Sequence, residues 1–164
     1  MAPYQYMPLD EAAKEIRVMT LFSRAFSDDI HITLNIKLFP ADGTSPVPEY
    51  EALSYTWGSV DNPVYIIVHD GAFENGTLSG LSITKNLATA LLYLRHEHEN
   101  RVLWIDAVCV NQKDLAERSS QVQRMAFIYS LAKCVIVWLG PESNTSARAI
   151  HLLHYLGSKV TVDR

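Results

Sequence analysis

The sequence predicts an α/β fold in which a mostly parallel sheet is flanked by helices and carries an N-terminal antiparallel extension. From residue 83 onward, hydrophobic patterns of helix and strand alternate, which is typical of parallel strands joined by crossover helices. Before residue 40, two apolar alternations follow each other closely, as antiparallel neighbours do. The 164 residues are therefore expected to form one domain, 1–164.

Composition narrows the class of protein. The chain is 48% hydrophobic and 20% charged, enough apolar residues for a full core. Its net charge of -4 provides no basic field for nucleic acid, so we expect no nucleic-acid partner. Apolar runs stop well short of the ~18 residues that a membrane helix needs. Because the first residues also lack a signal-peptide pattern, we expect a cytoplasmic protein without a membrane span.

The first half of the chain is predicted to consist mainly of strands. Every even residue from 30 to 38 is apolar, which is the alternation of a half-buried strand. Strands are predicted at 16–22, 30–38, 49–57 and 64–68, with a loop at 40–48 and turns at 70–80.

The second half alternates between helix and strand. Thr84 is a candidate cap for a helix that extends to about residue 98, with leucines 87, 91 and 94 on one face. A second helix begins after Asp114, and its predicted inward face comprises Leu115, Val122, Met125, Ala126 and Tyr129. Short strands at 102–105 and 134–139, a connecting loop at 107–112 and a last helix at 145–156 complete the chain.

Neither a disulfide nor a metal site is predicted. Cys109 and Cys134 lack Cys-x-x-Cys spacing and are expected to be reduced thiols. The histidines have no further ligand at a suitable spacing.

Three sequence blocks carry a family resemblance. They are YEALSYTWG at 50–58, LWIDAVCVNQ at 103–112, and ERSSQVQRM at 117–125 followed by residues 128–129 and 138–140. Together they resemble the fungal heterokaryon incompatibility (HET) domain, and the resemblance covers about residues 15–142. Val110 stands where the family commonly has isoleucine, a conservative change in volume.

This resemblance implies an effector of programmed cell death that acts when genetically different fungal hyphae fuse. HET domains typically head a longer protein, so the chain is expected to be an N-terminal part. The family has been likened to Toll/interleukin-1 receptor (TIR) domains, whose flavodoxin-like sheet hydrolyses NAD in some members and assembles signalling complexes in others. Two functions stay open: NAD hydrolysis, with NAD as substrate and no cofactor, and a non-catalytic module that self-associates or recruits death-signalling proteins.

Two carboxylates are the catalytic candidates. Asp106 ends a predicted central strand, where ligands bind in open parallel sheets, although such a residue also caps the following loop. Glu117 has the charge needed to stabilise a ribosyl cation while nicotinamide leaves. Its alternative role is to complete a capping box with Asp114. Convergence of Asp106 and Glu117 on one cleft with Trp57 would favour catalysis, whereas a Glu117 that bonds the Asp114 amide and faces away would favour assembly.

Further residues are candidates for ligand binding. Trp57 offers an aromatic face and Gly58 a close backbone approach. Asn111 and Gln112 precede a helix start that can hold phosphate, or they form a turn that satisfies its own backbone. Arg124 is a candidate anion partner or a solvated surface residue. The candidate ligand-binding set is Ser54, Trp57, Gly58, Asn111, Gln112 and Arg124, and Ser54 has no matched His and Asp for a nucleophilic triad.

One departure bears on the NAD mechanism. TIR-type NAD-cleaving domains draw a catalytic glutamate from the helix after the strand that corresponds to 134–139. Residues 143–156 of this chain contain neither Asp nor Glu. A direct transfer of that mechanism is therefore not expected.

Overall fold

The computed structural model of the chain describes residues 1–39, 48–70, 76–143 and 146–157. Most of the loop predicted at 40–48 lies outside these residues. The strands are β1 (Ala2–Pro3), β2 (Glu15–Leu21), β3 (His31–Leu38), β4 (Glu51–Tyr55), β5 (Val64–Asp70), β6 (Thr77–Ile83), β7 (Arg101–Trp104) and β8 (Val135–Trp138). The helices are α1 (Lys85–Leu94), α2 (Asp106–Cys109), α3 (Leu115–Ser130) and α4 (Ser146–Gly157).

All eight strands form one mixed sheet in the order β1-β6-β5-β3-β2-β7-β4-β8. At one end, β4 lies between β7 and β8 and runs parallel to both. In the middle, β2 is antiparallel to β3 and to β7. The predicted α/β class is confirmed, and β2 is the strand that joins the N-terminal antiparallel pair to the parallel block.

Helices cover both faces of the parallel block. Trp104 and Trp138 pair with β4 residues three positions apart, so their side chains point to opposite faces. The α3 ring of Tyr129 lies 5.5 Å from Trp104, measured between ring centroids. The α1 ring of Tyr93 lies 5.4 Å from Trp138. It follows that α1 and α3 pack on opposite sides of the sheet.

Helix α1 confirms its predicted start and buried face. The Thr84 hydroxyl accepts a hydrogen bond from the Leu87 amide at 3.3 Å, and the three predicted leucines are buried. The helix ends at Leu94 rather than near residue 98, because the next residue, Arg95, adopts an extended backbone.

The predicted inward face of α3 is only partly confirmed, because Met125 and Tyr129 pack against the core while the other three predicted residues are exposed. Leu115 and Val122 are exposed, whereas Glu117 and Gln121 are buried. Glu117 and Gln121 turn inward because β2 supplies hydrogen-bonding partners for both. Gln121 donates to the Glu15 carbonyl at 3.1 Å, and Glu117 pairs with a buried arginine. Hydrogen bonds to β2 therefore act together with the apolar packing of Ile128 and Tyr129 in setting the rotation of this helix.

Two elements, β6 and α2, form where the sequence predicted at least in part a turn or a loop. Strand β6 (77–83) begins inside the 70–80 region where turns were expected, and it pairs along its whole length with β5. Helix α2 (106–109) overlaps the connecting loop predicted at 107–112, and four residues are too short for a helical period to be recognised. Among the described residues, no helix combines the length and the apolar character required to cross a membrane.

Candidate functional site

The carboxyl ends of β4, β7 and β8 meet at one edge of the sheet, because the three strands are parallel. Trp57 follows β4, and Asp106 follows β7. The indole Nε1–H of Trp57 donates to Oδ2 of Asp106 at 3.0 Å. The Trp57 side chain remains 40% exposed, so one aromatic surface is open to solvent beside the carboxylate. The structure thus joins two of the predicted site residues.

Asp106 also organises the backbone that follows it. Its Oδ1 accepts the Ala107 amide at 2.8 Å, and its carbonyl oxygen accepts Nε2 of Gln112, also at 2.8 Å. Burial raises the pKa of the Asp106 carboxyl, while the hydrogen bonds from Trp57 and Ala107 act in the opposite direction. The carboxylate therefore accepts an amide hydrogen bond within the first turn of α2, one of the local roles expected of a strand-end aspartate, and also contacts the exposed tryptophan.

Two tyrosines stand near this carboxylate. Burial raises the pKa of Tyr129 to about 12, and the negative charge of Asp106 adds to the shift. The pKa of Tyr55 is raised by the same two causes. The Tyr129 hydroxyl donates to the Leu53 carbonyl at 2.8 Å, whereas the buried Tyr55 hydroxyl has no partner among the described residues. The sequence alternation of β4 is typical of a core tyrosine at position 55 and does not single out this hydroxyl.

Asn86 ties three elements together at the same edge. Its side-chain amide donates to the Thr56 carbonyl after β4, and its Oδ1 accepts Nε1 of Trp138 at 3.2 Å. Because Asn86 lies in the first turn of α1, it links that helix to the ends of β4 and β8. Sequence reasoning missed this residue, since a helix-start asparagine has no pattern of its own.

Gly58 sits in a conformation that favours glycine, with φ of +73°, and an added Cβ would lie 3.2 Å from Cβ of Asn86. We expect Gly58→Ala to lower the free energy of unfolding by about 1–2 kcal/mol, because left-handed backbone is costly for L-residues. The measurement is the urea midpoint. Gly140→Ala is a comparison that reports backbone strain alone, with φ of +104° and no described atom within 4 Å of the added Cβ. No measurable loss for Gly58→Ala would contradict both the cost of its left-handed backbone and the contact with Asn86.

Glu117 takes neither of its two predicted arrangements. Its carboxylate is buried and pairs with Arg17, with Nη1–Oε1 at 2.5 Å and Nη2–Oε2 at 2.9 Å. Oε1 also accepts the Asn111 amide at 2.7 Å. Asp114 does cap α3 by accepting the amides of residues 116 and 117, but its own amide donates to the Asn111 carbonyl. Only half of the capping box is therefore formed, and Glu117 anchors the loop before α3 to β2.

The remaining predicted ligand residues serve local structure. Oδ1 of Asn111 accepts the Lys113 amide at 3.2 Å, the self-satisfying turn that was its alternative role. Arg124 donates to the carbonyls of Lys14 at 2.7 Å and Glu15 at 3.2 Å, which ties α3 to the start of β2. Ser54 lies on β4 in register with Val137. Asp106, Trp57, Gly58 and Gln112 remain as the group gathered at the carboxyl edge.

No set of three or more His, Cys, Asp or Glu side chains is placed to hold a metal ion within the described part of the chain.

Comparison with known proteins agrees with the sequence blocks. The family model described as "Heterokaryon incompatibility protein (HET)" matches residues 50–163. The chain is 34% identical over 162 residues to heterokaryon incompatibility protein 6, OR allele, of Neurospora crassa. That alignment covers 95% of this chain but only 23% of the relative's length. No solved structure matches the chain. The chain therefore belongs to the heterokaryon incompatibility (HET) family.

Proposed function

We propose that this chain is the effector domain of a fungal heterokaryon incompatibility protein and that it kills cells by hydrolysing NAD at the carboxyl edge of β4 and β7. Family membership and the name of the Neurospora crassa relative support the incompatibility role. The Trp57–Asp106 pair is the observation that carries the proposed chemistry. Cell death on fusion of unlike hyphae is the expected biological outcome.

In the proposed reaction, Asp106 is the carboxylate that faces the nicotinamide ribose. Cleavage of a glycosidic bond passes through an oxocarbenium-like state, which a nearby negative charge stabilises. Trp57 presents its exposed ring to the nicotinamide base and holds the carboxylate through its indole N–H. Nicotinamide leaves with the bonding electron pair, and water adds to the ribosyl carbon to give ADP-ribose and a proton.

Glu117 has a different role in this proposal from the one its charge first indicated. Glu117 is only 5% exposed, and its carboxylate is paired with the positive charge of Arg17. Little negative charge is therefore left for a substrate. Through the Asn111 amide, Glu117 holds the segment that carries Gln112, which in turn binds the carbonyl of Asp106. Glu117 is thus a positioning residue in the proposed site.

The test is release of nicotinamide from NAD by the purified chain, both free in solution and clustered on beads. We expect Asp106→Asn to lower the rate by about 10²-fold or more, because it removes the charge that stabilises the transition state. The wild-type rate should also fall as the pH decreases through the raised pKa of Asp106, above its ordinary value of 3.8. Asp61→Asn, a substitution of an exposed aspartate, is the matched control.

Three results are distinguishable. A rate lost in Asp106→Asn and kept in Asp61→Asn supports hydrolysis at this site. Binding of NAD without release of nicotinamide would replace hydrolysis with a nucleotide-binding role. No binding and no release in either state, with cell killing retained, would overturn the nucleotide proposal altogether.

The second candidate function is a non-catalytic module that self-associates or recruits other death-signalling proteins. A specific observation favours it. Helix α4 exposes Ile150, Leu152, Leu153 and Tyr155, and β8 exposes two valines at the end of the sheet. Apolar side chains that are exposed together mark interaction surfaces in many soluble proteins.

A further inference from the structure

Strand β8 is the last strand at one end of the sheet, and β4 is its only strand neighbour among the described residues. Its side chains alternate between half-buried and exposed. Val135 is 47% exposed and Val137 is 61% exposed, on the face that also carries Trp104. An edge strand with apolar, exposed side chains is a template for pairing with another strand.

The backbone of β8 directs its free hydrogen-bonding groups outward at these two valines. The Ala52 amide of β4 donates to the Cys134 carbonyl at 3.0 Å. Because backbone direction alternates along a strand, residues 134, 136 and 138 face β4. The amide and carbonyl groups of Val135 and Val137 therefore point away from the sheet, with no strand opposite them in the described part of the chain.

The two edge strands of the sheet, β1 and β8, differ in how well they are protected against pairing with another chain. At the far end, β1 is only two residues long and contains Pro3, both of which limit pairing with another chain. At the near end, residues 134–139 read CVIVWL and contain no charge, no proline and no glycine. The usual devices that protect an edge strand are missing from β8 itself.

We propose that β8 pairs with β8 of a second copy of this chain, antiparallel and about a two-fold axis at Ile136. This register places Val135 of each copy opposite Val137 of the other. The outward-facing groups then form two hydrogen-bonded residue pairs, and each pair exchanges two N–H···O bonds. The apolar valines meet as cross-strand neighbours, so the surface is complementary to itself, as a two-fold interface requires.

Charge at the ends of β8 favours this direction. The exposed Lys133 precedes the strand and the exposed Glu142 follows it. In an antiparallel pair, the Lys133 end of one copy lies at the Glu142 end of the other, whereas a parallel pair would bring like charges together. The second copy, rather than a parallel strand from another protein, is the occupant that fits both the backbone and the charges.

The inference rests on the self-association candidate above, and sedimentation equilibrium over a range of concentrations tests it. We expect the wild-type chain to dimerise and Val137→Lys to weaken the dimer by about tenfold or more, because each dimer gains two buried charges. Val60→Lys is the matched control, since it makes the same substitution at a valine that is 74% exposed outside the sheet. It should dimerise as the wild type does.

Val137→Pro tests the backbone itself. Its amide faces outward, so proline removes a bond between copies without removing a bond to β4. Circular dichroism and the urea midpoint establish that each variant is folded. Dimers that persist unchanged in both folded variants would overturn pairing through β8 but keep self-association. A wild-type chain that stays monomeric at every concentration would overturn both, and neither result bears on nicotinamide release.

Discussion

Glu117→Ala should lower the free energy of unfolding by about 3–5 kcal/mol, the cost of leaving one member of a buried ion pair alone. Arg17 is 1% exposed, and its guanidinium meets both carboxylate oxygens of Glu117. Without the carboxylate, that buried positive charge keeps only carbonyl acceptors, at Met7 and Cys109. The Asn111 amide also loses its acceptor. Urea denaturation followed by circular dichroism measures the loss.

Two variants separate charge from packing at this pair. Glu117→Gln keeps the size and one acceptor oxygen, so we expect a smaller loss than for alanine. The double variant Arg17→Met with Glu117→Gln removes both charges, and it should lose less than the sum of the two single variants because the partners are coupled. A loss below about 1 kcal/mol for Glu117→Ala, the value of a surface pair, would contradict a buried, coupled interaction.

Arg95→Ala should cost about 3 kcal/mol of unfolding free energy, because a charged donor to several carbonyls is lost at once. Arg95 is 8% exposed and follows α1. Its Nη1 donates to the Asp29 carbonyl at 2.8 Å. Its Nη2 lies 2.5 to 3.0 Å from the carbonyls of residues 25, 26 and 28. One guanidinium therefore fixes the connection between β2 and β3.

Arg95→Lys is the matched control for this prediction. It keeps the positive charge but replaces the planar fork of donors with a single ammonium group, so we expect an intermediate loss. Hydrogen exchange at the backbone amides of residues 22–30 should be faster than in the wild type in both variants, and faster in Arg95→Ala than in Arg95→Lys. Equal stability of Arg95→Lys and the wild type would mean that charge alone, and not the fork geometry, holds the connection.

Local patterns predicted much of the fold. The alternation at 30–38, the leucines of α1 and the apolar run at 134–139 each correspond to an observed element. Strand β6 was missed because its glycine and serines favour turns, while pairing with β5 over its whole length outweighs that preference. Strand propensity depends only on neighbouring residues in the sequence, so it carries no information about pairing with β5.

Some features of the candidate site could likewise be predicted from the sequence, and others could not. Asp106 and Trp57 could be singled out because each stands at the end of a predicted strand, and the structure brings them together. The partner of Glu117 was not predictable, since Arg17 is 100 positions away in the chain. A buried arginine on β2 draws Glu117 of α3 inward as well, and the helical period of α3 gives no sign of a partner so far away in the chain.

The position of β2 in the sheet also determines how short a fragment of this chain can be and still fold. The family match begins at residue 50, yet β2 and β3 lie before it and β2 is hydrogen-bonded to β7 inside it. A fragment that started at the family boundary would leave β7 with an open side and bury Glu117 without Arg17. We therefore expect that a fragment able to fold when moved into another protein is larger than the 50–163 region that the family model matches, and that it includes the residues from β2 onward.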